Sequence, residues 1–144
     1  MNDGIAHQAS IVIARDAGTV FRFMSDPAKL NRWSFGTWQT EIAEDGLVLG
    51  TSIFDGARTY VRIDADAARL SIDYHLGQTP GALIPRINVR VVPGPNLGSE
   101  ATACALTFLA WRALPMSDER WHRLATSHEF EAVLIKSLLE NDRG

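Results

Sequence analysis

His128 is the residue whose type and placement most directly suggest chemistry. At about 100° per residue, Trp121, Leu124, Ala125, His128, Ala132, Ile135 and Leu139 fall on one stripe of the segment Ser117–Asn141, the pattern of a helix packed on an apolar surface. An imidazole in the middle of such a face is either a satisfied core histidine or a polar anchor inside a ligand cavity. Tyr74 lies on the apolar parity of a strand pattern and is its candidate partner. Together, His128 and Tyr74 offer a donor and an acceptor that orient a carbonyl or phenol, and as a catalytic pair they would enolise a ligand by general acid and base catalysis. The alternative is that both are buried and hydrogen-bonded to backbone or to each other.

Other chemistries find little support. His7, His75, His122 and His128 form no HExxH or His-x-His motif, so no metal site is expected. The single cysteine, Cys104, removes thiolate clusters and internal disulfides. Flanked by Ala101, Ala103 and Ala105, it reads as a buried inert thiol. Asp73 and His75 share one strand parity, but it is the solvated one. There is no nucleophile elbow and no phosphate-cradling Gly-rich loop, and no cofactor is expected. Trp38, Trp111 and Trp121 supply aromatic surface suited to a flat ligand or to core filling. Trp38 shares parity with Thr40 and Ile42 and is expected to face inward.

These residues need elements to position them. Ile5–Ala14 alternates as a strand, with His7, Ala9, Ile11 and Ile13 on the inner parity. Asp16 caps a following helix that turns Val20, Phe21 and Met24 to one side. Ser25-Asp26-Pro27 starts a second short helix with Leu30 and Trp33 as core contacts. Turn signals at Asp45-Gly46 and Asp55-Gly56, and loop signals at 64–68, 77–80 and 93–99, then mark off six strands. They are read as Phe35–Ala43, Leu47–Phe54, Arg58–Asp64, Arg69–Leu76, Arg86–Val92 and Ala101–Ala110, antiparallel because the connections are short. Val61, Ile63, Ile72, Tyr74, Val89 and Phe108 are placed on the face toward the terminal helix. Arg86, Asn88 and Arg90 are placed outside, with Asp73 and Arg90 as a cross-strand pair. The facing of the last strand stays open, because Leu106, Phe108 and Ala110 compete with Leu109.

The 144 residues fit one domain spanning 1–144. With 46% hydrophobic and 22% charged residues, the chain has ordinary globular usage. A net charge of −3 and only two lysines give no footprint for nucleic acid. No apolar run approaches the roughly 18 residues of a membrane span, so a cytoplasmic monomer or homodimer is expected.

The order strand, two short helices, six antiparallel strands and one long helix opens with Ile11-Val-Ile-Ala-Arg-Asp-Ala-Gly-Thr-Val-Phe-Arg-Phe-Met-Ser-Asp-Pro27 and runs on to Trp33. It resembles the START-like (SRPBCC) superfamily, in particular its polyketide cyclase/dehydratase and lipid-transport-like branch. The resemblance implies an α+β helix-grip fold: a seven-stranded curved antiparallel sheet wrapped around a long C-terminal helix. It also implies an apolar cavity between sheet and helix that holds a lipid, polyketide or aromatic molecule, with or without cyclase or dehydratase activity. Trp38, Val61, Ile63, Ile72, Tyr74, Val89, Phe108, Trp121, Leu124 and His128 are the expected lining. The alternative within the resemblance is a protein-interaction module similar to chaperone activators, with a filled interior and an exposed apolar patch.

Overall fold

The computed structural model describes residues 4–144. Strand β1 (Ala6–Ile13) leads into helix α1 (Ala17–Ser25), whose first turn is capped by Asp16: its carboxylate accepts from the Thr19 N–H at 3.0 Å. Pro27 opens a 3-10 turn over Pro27–Lys29, and α2 (Leu30–Trp33) continues it, burying Leu30 and Trp33. Strands β2 (Gln39–Ile42), β3 (Val48–Thr51), β4 (Arg58–Asp66), β5 (Ser71–Gly77), β6 (Ile84–Pro93) and β7 (Cys104–Trp111) follow, and α3 (Asp118–Glu140) closes the chain.

All seven strands form one antiparallel sheet in the order β1-β7-β6-β5-β4-β3-β2. Hairpins account for the run from β2 to β7. The long connection brings β1 back beside β7, with Ala9 opposite Phe108. Two of the hairpin turns use Asp-Gly as expected. Gly46 and Gly56 take φ of +87° and +72°, and Asp45 and Asp55 accept from the N–H groups of Leu47 and Ala57. The sheet curves around α3, which packs on β1 and β7 and touches α2. The architecture is therefore the α+β helix grip. Its core holds Ile13, Met24, Ile72, Leu106, Phe108 and Ile135, all essentially inaccessible.

Helix α3 begins and ends where its caps demand. Ser117 accepts from the Arg120 N–H at 3.2 Å, and Asp118 and Glu119 sit in the first turn, at the positive end of the helix dipole. The last strand settles its facing through Cys104, Leu106, Phe108 and Ala110, which point into the core. Ala101 and Ala103 precede the strand rather than belonging to it.

Three expectations are corrected. Trp38 is not a strand residue: Phe35–Thr37 form a 3-10 turn, and Trp38 ends it 38% exposed, its ring against Phe35. Asp73 pairs with Asn88, which donates to it at 3.0 Å, because the register places Arg90 opposite Ser71. Arg86 does not belong to the outer face. Tyr74 is opposite Ile87 and His75 is opposite Pro85, so Arg86 is the extra residue of a bulge. A bulge breaks strict alternation and re-aims a side chain.

Candidate functional site

A pocket of about 390 Å³ lies between the sheet and the N-terminal half of α3. Its walls are built by consecutive layers of the fold. Helix α2 and the turn after it contribute Leu30, Trp33 and Thr37. The β4–β6 sheet contributes Val61, Tyr74, Leu76, Ile84, Arg86 and Ile87. Strand β7 contributes Phe108 and Trp111, and α3 contributes Arg120, Arg123, Leu124, Ser127, His128 and Glu131.

Of the residues expected to line a cavity, Val61, Tyr74, Phe108, Leu124 and His128 meet in this pocket. The others lie elsewhere. Ile72 and Val89 are wholly inaccessible in the core and are not part of the pocket wall. Ile63 packs on the core edge beside a shallow depression that His75 and Asp64 also border. Trp121 stands on the first turns of α3 outside the lining, and Trp38 is turned outward. His75 faces Asp64, at 3.7 Å, rather than Asp73.

The expected His128–Tyr74 pair is changed by one hydrogen bond. The Tyr74 hydroxyl donates to the Met24 carbonyl at 2.5 Å, which commits its proton to α1. Burial then raises its pKa further, with the Glu131 carboxyl adding to the rise. Tyr74 thus ties the sheet to α1 and has little capacity as an acid at neutral pH.

His128 is 6% exposed and stacks on Phe108, ring centroids 5.4 Å apart. Burial, and then the nearby His7, push its pKa down to about 4, so it is a neutral imidazole at pH 7. Its Nδ1 is buried with no partner.

Glu131 was not anticipated. It is three residues beyond His128, on the same side of α3, and only 4% exposed. Burial lifts its pKa well above the ordinary carboxylate range, while the Phe35 N–H donates to it and opposes part of that rise. The pocket therefore holds a neutral imidazole beside a carboxyl whose ionisation burial disfavours.

Two further wall residues carry a buried polar atom without a partner: Trp33 at its indole Nε1 and Thr37 at its hydroxyl. Trp33 is fixed from both sides, its ring 6.1 Å from Tyr74 and 5.7 Å from Phe108. Thr37 approaches the backbone of β3 so closely that a Cβ on Gly50 would stand 2.7 Å from the Thr37 Cβ. Glycine at position 50 is what lets Thr37 sit there.

No protein-family model matches the sequence, and no curated protein matches it. Solved structures do. The Aha1 dimer from Colwellia psychrerythraea superposes with a TM-score of 0.68 at 13% identity, covering 97% of this chain and 99% of that one. The Zhui aromatase/cyclase from Streptomyces sp. R1128 gives 0.63 at 18% identity over 96% and 92%. A START superfamily protein from Mycobacterium smegmatis gives 0.58 at 13% identity, covering 96% of each chain. At such identities the likeness is one of fold, and the fold of this chain is the START-like helix grip.

Proposed function

We propose that the protein binds a small hydrophobic molecule, ring-containing and bearing hydroxyl or carbonyl oxygen, in the pocket between sheet and α3. One observation carries this reading. Trp33, Thr37 and His128, which carry three buried polar atoms with no hydrogen-bond partner (Nε1, Oγ1 and Nδ1), are all wall residues of one pocket whose other walls are largely apolar. Each such atom costs about 1–3 kcal/mol unless something pairs with it. A ligand that accepts from the indole N–H and donates to the imidazole recovers those costs, and Phe108 and Trp111 offer faces for a ring.

A second reading adds chemistry. Burial pushes the Glu131 and His128 pKa values apart in the direction that makes one an acid and the other a base at neutral pH. Such a pair suits removal of a proton next to a carbonyl and protonation of a leaving hydroxyl, the steps of a cyclisation with dehydration. The Zhui neighbour is an aromatase/cyclase, which supports this reaction class for the present fold. Glu131 replaces Tyr74 in the acid role. The rival reading, an interaction module with a filled interior, draws on the exposed rings of Trp38, Phe54 and Phe130 around Phe35. The pocket of about 390 Å³ weighs against it.

Native mass spectrometry before and after organic extraction tests the binding claim. Wild-type protein is expected to carry one extractable lipid, polyketide or aromatic molecule per chain, or to take one up from a panel of such compounds. Trp33→Phe, which keeps the ring and removes the N–H, is expected to hold that molecule about tenfold more weakly, the loss of roughly one hydrogen bond at about 1.4 kcal/mol. A wild-type protein that carries and takes up nothing from the panel contradicts the proposal.

A further inference from the structure

Of the ionisable residues on the pocket wall, three are arginines, Arg86, Arg120 and Arg123, and two are carboxylic acids, Asp55 and Glu131. Asp55 is ionised and already engaged: Arg123 donates to it at 3.2 Å and lies 4.9 Å from the centroid of the Phe54 ring. Its N–H acceptance from Ala57, followed by Arg123, holds its pKa down. Burial disfavours the Glu131 charge. Among the described residues neither Arg86 nor Arg120 forms a salt bridge, although Asp55 is near enough to Arg120 to feel its charge. The wall is positive in a chain whose net charge is −3.

The placement of these two guanidiniums is specific. Arg86 is the extra residue of the β6 bulge, and both it and its neighbour Ile87 line the pocket, which strict strand alternation forbids. Its guanidinium donates to the Trp111 carbonyl at 2.9 Å, which fixes it beside another wall residue and leaves further N–H groups free. Burial disfavours the Arg86 charge, and Arg120, exposed on the first turn of α3, is close enough to add to this. Two like charges brought together at the solvent-facing end of an apolar pocket are stabilised by an anion between them. The polar atoms of Trp33, Thr37 and His128 mark another part of the wall. Along α3, Arg120 and His128 are eight residues apart, about 12 Å of helix, the span of a two-ring body with a polar group at each end.

We propose that the pocket's ligand is an organic acid whose carboxylate meets Arg86 and Arg120 while its ring body and distal hydroxyl or carbonyl extend toward Trp33 and His128. This rests on the binding function proposed above and names the charge class of the ligand.

The test compares 6-hydroxy-2-naphthoic acid with its methyl ester by titration calorimetry at pH 7. The two differ only in the charge at one end. The acid is expected to bind at least about tenfold more tightly than the ester, and to lose several-fold in affinity between about 0.02 and about 0.5 M salt while the ester changes little. Arg120→Gln lies at an exposed position, so folding is preserved. It is expected to bring the acid close to the ester, and Arg120→Glu to bring it below, with ester affinity changing far less than acid affinity in both. Equal binding of acid and ester, or an acid preference untouched by either Arg120 variant, overturns the anion assignment and leaves the pocket's binding role standing. Binding of neither compound overturns both.

Discussion

Phe108→Ala is expected to destabilise the protein by about 3–5 kcal/mol, the largest effect of any single truncation in the pocket. Phe108 is completely inaccessible and central to β7, opposite Ala9 on one neighbouring strand and Val89 on the other. Its ring is also the shared contact of Trp33 and His128. Removing it leaves a void that the strand backbone, hydrogen-bonded on both sides, cannot close. The same change unseats the two residues whose orphaned nitrogens define the polar part of the pocket, so ligand retention is expected to fall with stability. Phe108→Leu, which keeps most of the volume, is expected to lose far less stability while still losing the stacked imidazole. Urea titration with unchanged slope reads the stability difference.

The second large effect is a pH dependence with opposing parts. His128 titrates at about 4 in the folded protein against an ordinary 6.5. Between those values the unfolded chain binds the extra proton, and stability falls as pH falls, by about 3 kcal/mol over the window. Glu131 works in the other direction. Its folded pKa lies above the ordinary 4.5, so its contribution is complete below that value and is lost as pH rises toward the folded pKa. Between about pH 4.5 and 6.5 the two slopes oppose each other. Wild-type stability is therefore expected to fall less on acidification across that window than His128 alone dictates. Glu131→Gln keeps an acceptor for the Phe35 N–H and is expected to unmask the His128 slope, losing about 3 kcal/mol between pH 6.5 and 4. His128→Gln is expected to show the reverse, gaining stability on acidification across the same window. Thermal unfolding of the three proteins at several pH values separates these cases. Parallel curves for all three would show that neither group is held out of its ordinary titration range.

Much of this architecture can be read from the sequence, because its strongest signals are local. The stripe from Trp121 to Leu139, the Asp16 and Ser117 caps and the Asp45-Gly46 and Asp55-Gly56 turns each have a mechanism that operates within a few residues. Strand alternation places Val61, Tyr74 and Phe108 on the pocket wall, and the helical stripe places Leu124 and His128 there. What the pattern misses is set by tertiary context. Trp38 reads as an alternating strand residue until the 3-10 turn at Phe35–Thr37 rotates it outward. Arg86 reads as solvated until a one-residue bulge, invisible in composition, brings it to the pocket. Glu131 defaults to solvent because carboxylates seldom bury without a partner. Its spacing of three from His128 was the available signal. Leu106, Phe108 and Ala110 compete with Leu109 for the buried side of the last strand, and only its packing in the sheet between β1 and β6 chooses between them.

A ligand seated between sheet and α3 meets the tryptophan side chains of the wall, and their indoles report on it directly. The chain has four tryptophans, of which Trp33 and Trp111 line the pocket and Trp38 and Trp121 do not. In a proton–nitrogen correlation spectrum assigned with Trp→Phe variants, titration of 6-hydroxy-2-naphthoic acid or its methyl ester is expected to move the Trp33 indole signal downfield as its N–H gains an acceptor. Trp111 is expected to shift with it, while Trp38 and Trp121 hold still. Saturation with these compounds and with a medium-chain fatty acid that leaves Trp33 and Trp111 unmoved would contradict the account.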